Sequence, residues 1–418
     1  MNAYRGSYME NFERNLEKYA ELVLRKGINM QENQLVVIKA PLLAADLVRL
    51  INRKAYQLGA GHVEIMWRDE QVTLDRYLFA KDEAFDSVPQ WVIDTHDEFC
   101  KQGAGLINIL AENPELLKEV KPDRISRQMK VTNQALDQFR NYTMNDKLCW
   151  NIVAYPNEAW STKIFPDLSS AEAIQKHWEQ IFVISRVDGD DPIKAWDDHI
   201  ANLKNRVNYL NDKKFVKLHY RAPGTDLTID LPDKHLWLGG GSESIHGVYF
   251  LPNIPTEEVF TAPKRSGVNG VVSSTKPLVY GGNRIENFTM TFKEGKVVDF
   301  TAEQGYDVLK GLLDTDEGAR HLGEVALVPH DSPISNSNLI FYNTLYDENA
   351  SNHLAVGGAY TPCYEGGKEM SKEELHANDI NTSLTHVDFM IGSEKMDIDG
   401  YTADGQMVPV FRNGNWAF

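Results

Sequence analysis

Five residues of metal-ligand type stand in the last part of this chain in the order Glu258, Glu324, His353, His386 and Asp388, and Tyr360 follows the first histidine closely. Two divalent cations could share such a set. The tightest piece is Leu384–Ile391, whose β-branched and apolar residues predict a strand, so that alternate side chains point the same way. His386 and Asp388 then share one face, while Val387, Phe389 and Ile391 face a core. A neutral imidazole nitrogen beside a carboxylate oxygen suits zinc, cobalt or manganese rather than calcium. Taken alone, a His-x-Asp pair is equally a hydrogen-bonded pair on a solvated strand.

The other candidates sit in settings that can present a ligand. His353 comes directly after the polar run Asn349-Ala350-Ser351-Asn352 and before small residues and glycines, where backbone can approach closely. Glu324 lies in the apolar strand-like run 319–329, where a lone carboxylate is costly to bury unless a cation or a partner accepts it. Glu257 and Glu258 are neighbours in 252–263; on a strand they face opposite sides, so at most one readily joins a given site. Tyr360 could also be a core aromatic with a satisfied hydroxyl. His321 and His330 could be bystanders or supporting partners.

The elements that must position these residues fall into two halves. Helical spacing from Met9 to Arg25 precedes a strand at Gln34–Ala40, a helix from about Leu42 to Leu58 and a strand at His62–Trp67. The alternation continues with a helix near Pro89–Gln102, a strand at Ala104–Leu110, a helix near Asp123–Phe139 and a strand at Leu148–Tyr155. Such an order predicts an α/β fold with a parallel sheet covered by helices on both faces. Helical patterns then fill most of 171–210. From Lys214 short β-rich runs take over, at Phe215–Tyr220, Leu227–Asp230, Val279–Gly282 and Asn287–Phe292, and the run 293–296 reads as a hairpin turn before Val297–Phe300. The boundary therefore falls near residue 212, giving an α/β amino-terminal domain (1–212) and a β-rich α+β carboxy-terminal domain (213–418) that carries every candidate ligand.

Length and composition agree with two soluble domains: 418 residues exceed one ordinary core, and 42% hydrophobic with 25% charged residues is a usual globular balance. A net charge of −17 argues against nonspecific binding to nucleic acid or an anionic membrane. Cys100, Cys149 and Cys363 are far apart, which excludes a cysteine-based zinc site and fits a reducing compartment. Neither a secretory leader nor a bilayer-length apolar run is present, so a cytoplasmic protein is expected.

Other features carry less. The first strand lacks a following Gly-x-Gly-x-x-Gly turn, so no dinucleotide site is expected. Gly239-Gly240-Gly241-Ser242 could form an anion-binding nest, but reads more simply as a flexible loop. Cys363 could be a nucleophile, but a buried free thiol is the simpler reading. Trp91, Trp150, Trp160, Trp178 and Trp237 could line a channel, though core packing explains most of them.

Four segments together carry a resemblance across essentially the whole chain: 255–263 (PTEEVFTAP), 323–329 (GEVALVP), 349–360 (NASNHLAVGGAY) and 386–392 (HVDFMIG). On these the chain resembles the thermophilic-type metallo-aminopeptidases, peptidase family M29. The resemblance implies that Glu258, Glu324, His353, His386 and Asp388 bind two metal ions, with Glu258 rather than Glu257 at the first position and Tyr360 contributing to catalysis. It also implies a homodimer acting on short or unfolded peptides.

Two cations about 3.5–4 Å apart would acidify a bridging water and polarise the peptide carbonyl. Glu324 is the candidate bridge, and Tyr360 would donate to the oxyanion. The general base stays open among Glu257, Glu348 and a ligand carboxylate, and the metal stays open among zinc, cobalt and manganese. Rival readings are another two-metal hydrolase such as a phosphoesterase, which would need cationic phosphate contacts, and a binding protein merely braced by metal.

Overall fold

Val36 and Ile38 point to one side of a seven-residue strand and Val37 to the other, and all three are buried, so this strand must be covered on both faces. It is the second strand of a parallel sheet in the order His62–Arg68, Leu35–Pro41, Gly105–Leu110, Trp150–Ala154. The computed structural model describes residues 2–418, with side-chain surroundings from Asn11 onward. One face of the sheet packs on the helices Asn2–Leu22 and Ala45–Gln57 through Leu16, Tyr19, Leu47 and Ile51. The other packs on Gln90–Lys101 and Asp137–Met144 through Phe99, Cys100, Phe139 and Tyr142.

The expected helices are present with altered ends. The first leaves α-geometry at Val23–Gly27, where it widens into a π turn. The helix expected over Asp123–Phe139 is two helices, Pro122–Ala135 and Asp137–Met144, broken at Leu136, whose backbone leaves the helical region. A helix at Glu70–Phe79, capped by Asp69 accepting from the Val72 N–H, has no counterpart in the sequence reading. The long helical stretch resolves into Ser170–Ile184 and Pro192–Lys213, the second ending on Lys214 in the left-handed region.

Beyond residue 214 every strand pairing is antiparallel apart from one isolated bridge, among the described residues. A nine-stranded sheet contains the hairpin of Asn283–Lys293 with Lys296–Gln304. Its turn has positive φ at both Glu294 (49°) and Gly295 (82°), the twist that a two-residue hairpin favours. A second sheet has five strands in the order His386–Met390, His353–Gly357, Leu322–Leu327, Val259–Thr261, Leu238–Gly239.

The two halves share packing. Phe341, Leu345 and Tyr346 enter the same core as the amino-terminal helices, and the Trp160 indole N–H donates to the Phe341 carbonyl. Asn253 bridges in parallel to Ile152 at the edge of the first sheet, with Ile152 N–H donating to Pro252 (2.7 Å) and Ile254 N–H to Ile152 (3.1 Å). That bridge anchors the segment that runs on to Glu258. No helix among the described residues is long and apolar enough to cross a membrane.

Candidate metal centre

The register of the five-stranded sheet explains how residues scattered over 258–388 meet. Glu324 lies opposite Ala355, and Ala355 opposite Asp388; Ala326 lies opposite His353, and Gly357 opposite His386. Period-two alternation then puts Glu324, His353, His386 and Asp388 on one face, with Glu258 joining it one residue before the Val259–Thr261 strand. The opposite face, with Val259, Val325, Leu327, Leu354, Val356 and Phe389, is buried in the carboxy-terminal core. Ala326, Ala355 and Gly357 lie among the polar residues and contribute little or no side chain of their own, while Phe260 and Met390 share the same face beside them. Gly357 has φ 109°, and a Cβ there would lie 2.2 Å from the Thr385 carbonyl oxygen.

The donors converge on overlapping points. Glu258, Glu324 and His353 offer ligand atoms within 4.8 Å of one another, and so do Glu324, His386 and Asp388. Glu324 belongs to both groups: one carboxylate oxygen is 3.5 Å from His353 Nε2 and the other 3.5 Å from His386 Nε2. A third group joins Glu348 to His353 and Asp388. Each imidazole turns its Nδ1 to a main-chain carbonyl, His353 to Ser351 (3.1 Å) and His386 to Gly358 (2.7 Å). A carbonyl only accepts, so Nδ1 carries the proton and Nε2 is left for the centre, the support usual for a ligating histidine.

Three buried atoms here have no hydrogen-bond partner: Glu258 Oε2, His353 Nε2 and Asp388 Oδ1. Glu258 Oε2 and His353 Nε2 are 2.8 Å apart, yet not aligned as donor and acceptor. Buried polar atoms are seldom left in this state, and mixed nitrogen and carboxylate donors aimed at common points fit divalent cations. The electrostatics agree. Burial alone would lower both imidazoles, but Glu258 and Glu324 hold His353 well above its usual range, and Asp388 and Glu324 hold His386 up to about 10. Burial, with the Asp388 charge, pushes Glu324 up to about 7. Burial and the charges of Asp388 and Glu258 push Glu348 well above the ordinary carboxylate range. Burial also acts to raise Asp388, but His386 and then His353 outweigh it and bring its carboxyl below the ordinary value. Such a cluster attracts positive charge.

A cavity of about 310 Å³ opens beside the cluster and includes Glu258, Glu324, Glu348, Tyr360, His386 and Asp388 in its wall. Its apolar side comes largely from the amino-terminal half, with Leu110, Met144, Trp150 and Ile152 meeting Phe260 and Leu345. The Tyr360 hydroxyl donates to Asp146 and lies 3.0 Å from Ser242 Oγ.

Several sequence candidates lie elsewhere. Glu257 is tied to Arg186 (2.8 Å) and His199 (3.2 Å). His321 is within 3.2 Å of the Arg265 carbonyl and His330 within 3.4 Å of Ser335 Oγ, neither in the cluster. Cys363 is a buried free thiol, as are Cys100 and Cys149. Trp160, Trp178 and Trp237 are core residues, Trp91 is exposed, and only Trp150 of the five lines the cavity. The Gly239–Ser242 stretch is neither nest nor loose loop: Gly239 ends a strand, Gly240 and Gly241 turn with positive φ, and Ser242 is delivered to Tyr360.

The sequence reading missed Asp146 and, Trp150 apart, the apolar wall, and it had Ser242 only as part of a glycine stretch. For the wall a signal existed at Leu110, which ends a parallel strand, where open α/β sheets bind ligands.

Comparison with known proteins agrees over the whole length. The aminopeptidase AmpS of Bacillus subtilis (strain 168) is 52% identical over 410 residues, 98% of this chain and 100% of that protein. Aminopeptidase 2 of Geobacillus stearothermophilus is 53% identical over 410 residues, 98% and 99% of the two chains. The solved structure of wild-type AmpT from Thermus thermophilus matches with a TM-score of 0.89 at 41% identity, over 97% of this chain and 100% of that one. The description "Thermophilic metalloprotease (M29)" fits residues 12–416, and the chain belongs to that family.

Proposed function

We propose that the protein is a metal-dependent aminopeptidase that releases amino-terminal residues from short peptides. Glu258 and His353 would hold one divalent cation, His386 and Asp388 a second, and Glu324 would span the two. The observation that carries this reading is the two-sided Glu324 carboxylate, 3.5 Å from an imidazole nitrogen on either side. The relatives' names, aminopeptidases all, support the reaction. When bound, such a pair supplies an acidified water and a polarised carbonyl. Zinc, cobalt and manganese all suit the nitrogen and oxygen donors.

The chain's own residues do the rest. Carboxylates in the cavity wall suit the cationic amino terminus of a peptide, which makes the reaction an exopeptidase one. The facing wall of Leu110, Met144, Trp150 and Ile152 excludes water and suits an apolar first side chain. Glu348 lines the cavity whereas Glu257 is engaged by Arg186, so Glu348 or a ligand carboxylate takes the proton. Tyr360 donates its hydroxyl to the developing oxyanion, where one good donor is worth about 3 kcal/mol of barrier.

A phosphoesterase reading is weaker because no Lys or Arg is among the described residues lining the cavity. Exposed Trp67, Val72, Phe79 and Trp91 support the expected homodimer, and three free cysteines a reducing cytoplasm. The division into domains 1–212 and 213–418 belongs to the same reading. Chelator-stripped protein given zinc, cobalt or manganese should recover cleavage of leucine p-nitroanilide and leave p-nitrophenyl phosphate untouched. Stoichiometric metal binding with no anilide cleavage under any of the three metals overturns the peptidase reading.

A further inference from the structure

Asp146 is 1% exposed and belongs to the amino-terminal half, yet its side-chain polar partners among the described residues come from the other half: it accepts the Tyr360 O–H, its second oxygen is 3.3 Å from Lys368 Nζ, and the Ser242 hydroxyl also bonds to it. Burying a carboxylate costs several kcal/mol unless partners compensate, and burial does push this carboxyl upward against the opposing pull of Tyr360 and Lys368. The main chain is fixed as firmly as the side chain. Asp146 has φ 52°, its carbonyl accepts from the Ile245 N–H (3.0 Å), and the neighbouring Asn145 side chain meets the Thr361 hydroxyl. A two-residue turn from one half thus holds Tyr360, its neighbour Thr361 and the Ile245 main chain of the other half.

The grip bears on the phenol. Its oxygen is located by two partners, Asp146 and Ser242, the latter at 3.0 Å, and its ring packs at 5.8 Å from that of Phe260. A phenol has one proton, and here the proton lies along the bond to Asp146. To serve an oxyanion it must turn from that carboxylate into the cavity, while the oxygen keeps its place through Ser242.

We propose that Asp146 is a positioning residue for Tyr360, contributed across the domain interface, so that the amino-terminal half completes the catalytic site as well as walling it. The inference rests on the aminopeptidase reading and on the role given there to Tyr360. It makes orientation of the phenol depend on how the halves sit together.

The test is a double-mutant cycle on the metal-loaded protein with Asp146→Ala and Tyr360→Phe, with Asp146→Asn as the conservative variant. Leucine p-nitroanilide turnover and urea unfolding are both measured. Misplacing a catalytic group by about 1 Å can cost roughly 100-fold, so Asp146→Ala should lower kcat by about 10- to 100-fold and change KM less than threefold. Asparagine, which can still accept from the phenol, should restore most of that loss. In the Tyr360→Phe background Asp146→Ala should cost less than about threefold, and the unfolding constants should be coupled by about tenfold. The proposal is overturned if the full kcat loss persists without the phenol, if KM alone moves, or if asparagine behaves like alanine. A wild type that cleaves no anilide under any metal, yet shows coupled unfolding, removes the aminopeptidase reading and the positioning role with it. An active wild type with uncoupled variants removes the positioning role alone.

Discussion

His177 and His353 are both fully buried, and each has an Nε2 with no hydrogen-bond partner, yet their surroundings drive them in opposite directions. His177, on the Ser170–Ile184 helix, has Ser161 Oγ 3.0 Å from its Nδ1 and the Trp160 ring edge-on at 4.4 Å. Among the described residues no carboxylate opposes its desolvation, and burial pushes it down to about 3. His353 suffers the same burial, but Glu258 and Glu324 reverse the outcome. An orphaned imidazole nitrogen therefore does not make a ligand. What distinguishes the centre is carboxylate oxygen converging on that nitrogen from neighbouring strands.

The strongest way to break the contrast is to remove an imidazole from the carboxylate cluster. His386→Ala should reduce anilide cleavage by more than the roughly 10- to 100-fold that disturbing a ligand's supporting partner costs, with less metal retained after dialysis and an unchanged circular dichroism spectrum. Full activity with full metal content would remove the cluster from the chemistry. A finer version keeps every ligand and takes away the space. Ala355 separates Glu324 from Asp388 in register, so Ala355→Leu should lower metal stoichiometry by filling the gap, at a cost of about 1–3 kcal/mol in stability from overpacking. Ala355→Gly should keep the metal. Equal metal content in the leucine and glycine variants would show that the gap is not where ions sit.

How much of this was legible in sequence follows the range of the interactions. Strand periodicity predicts that His386 and Asp388 share a face with Phe389 opposite, because alternation is local, and the structure has that arrangement. The parallel sheet was legible for the same reason. The approach of Glu258, Glu324 and His353 was not, because it depends on which strands pair and in what register, and only the family resemblance brought those residues together. The link from Asp146 to Tyr360 spans 214 residues and leaves no periodic trace. The break at Leu136 was also invisible, since Gln134, Ala135 and Leu136 are good helix formers and no Gly or Pro marks a stop there.

The apolar member of the contrast has a pH signature. His177 takes a proton near pH 6.5 when unfolded but only near pH 3 when folded, so its neutral form stabilises the fold above pH 6.5 and that contribution falls as pH drops from 6.5 toward 3. At pH 5.5 the loss amounts to about tenfold in the unfolding constant. Urea unfolding of wild type and His177→Gln across this window should give curves of different slope, with the glutamine variant flatter by about 1.4 kcal/mol per pH unit at the acid end. Parallel curves would mean that the folded protein admits the proton.

The smallest effect is expected at Cys363, and it tests the cluster from the side of negative charge. Cys363 is 1% exposed among Ala262, Ala359, Leu375 and Ile380, and its backbone N–H donates to the Tyr360 carbonyl at 3.0 Å. Burial pushes the thiol well above its usual range, and the charges of Glu324 and Asp146 push the same way. The carboxylates that favour a proton or a metal ion on the imidazoles thus disfavour a thiolate, and a thiol without thiolate character is a poor nucleophile. Cys363→Ala should keep kcat/KM within about twofold, since a residue that neither attacks nor donates can act only through packing, and it should unfold somewhat more readily for the small cavity left behind. Loss of turnover in a folded Cys363→Ala protein with normal metal content would place a nucleophile beside the centre and overturn the assignment of the attacking group to water.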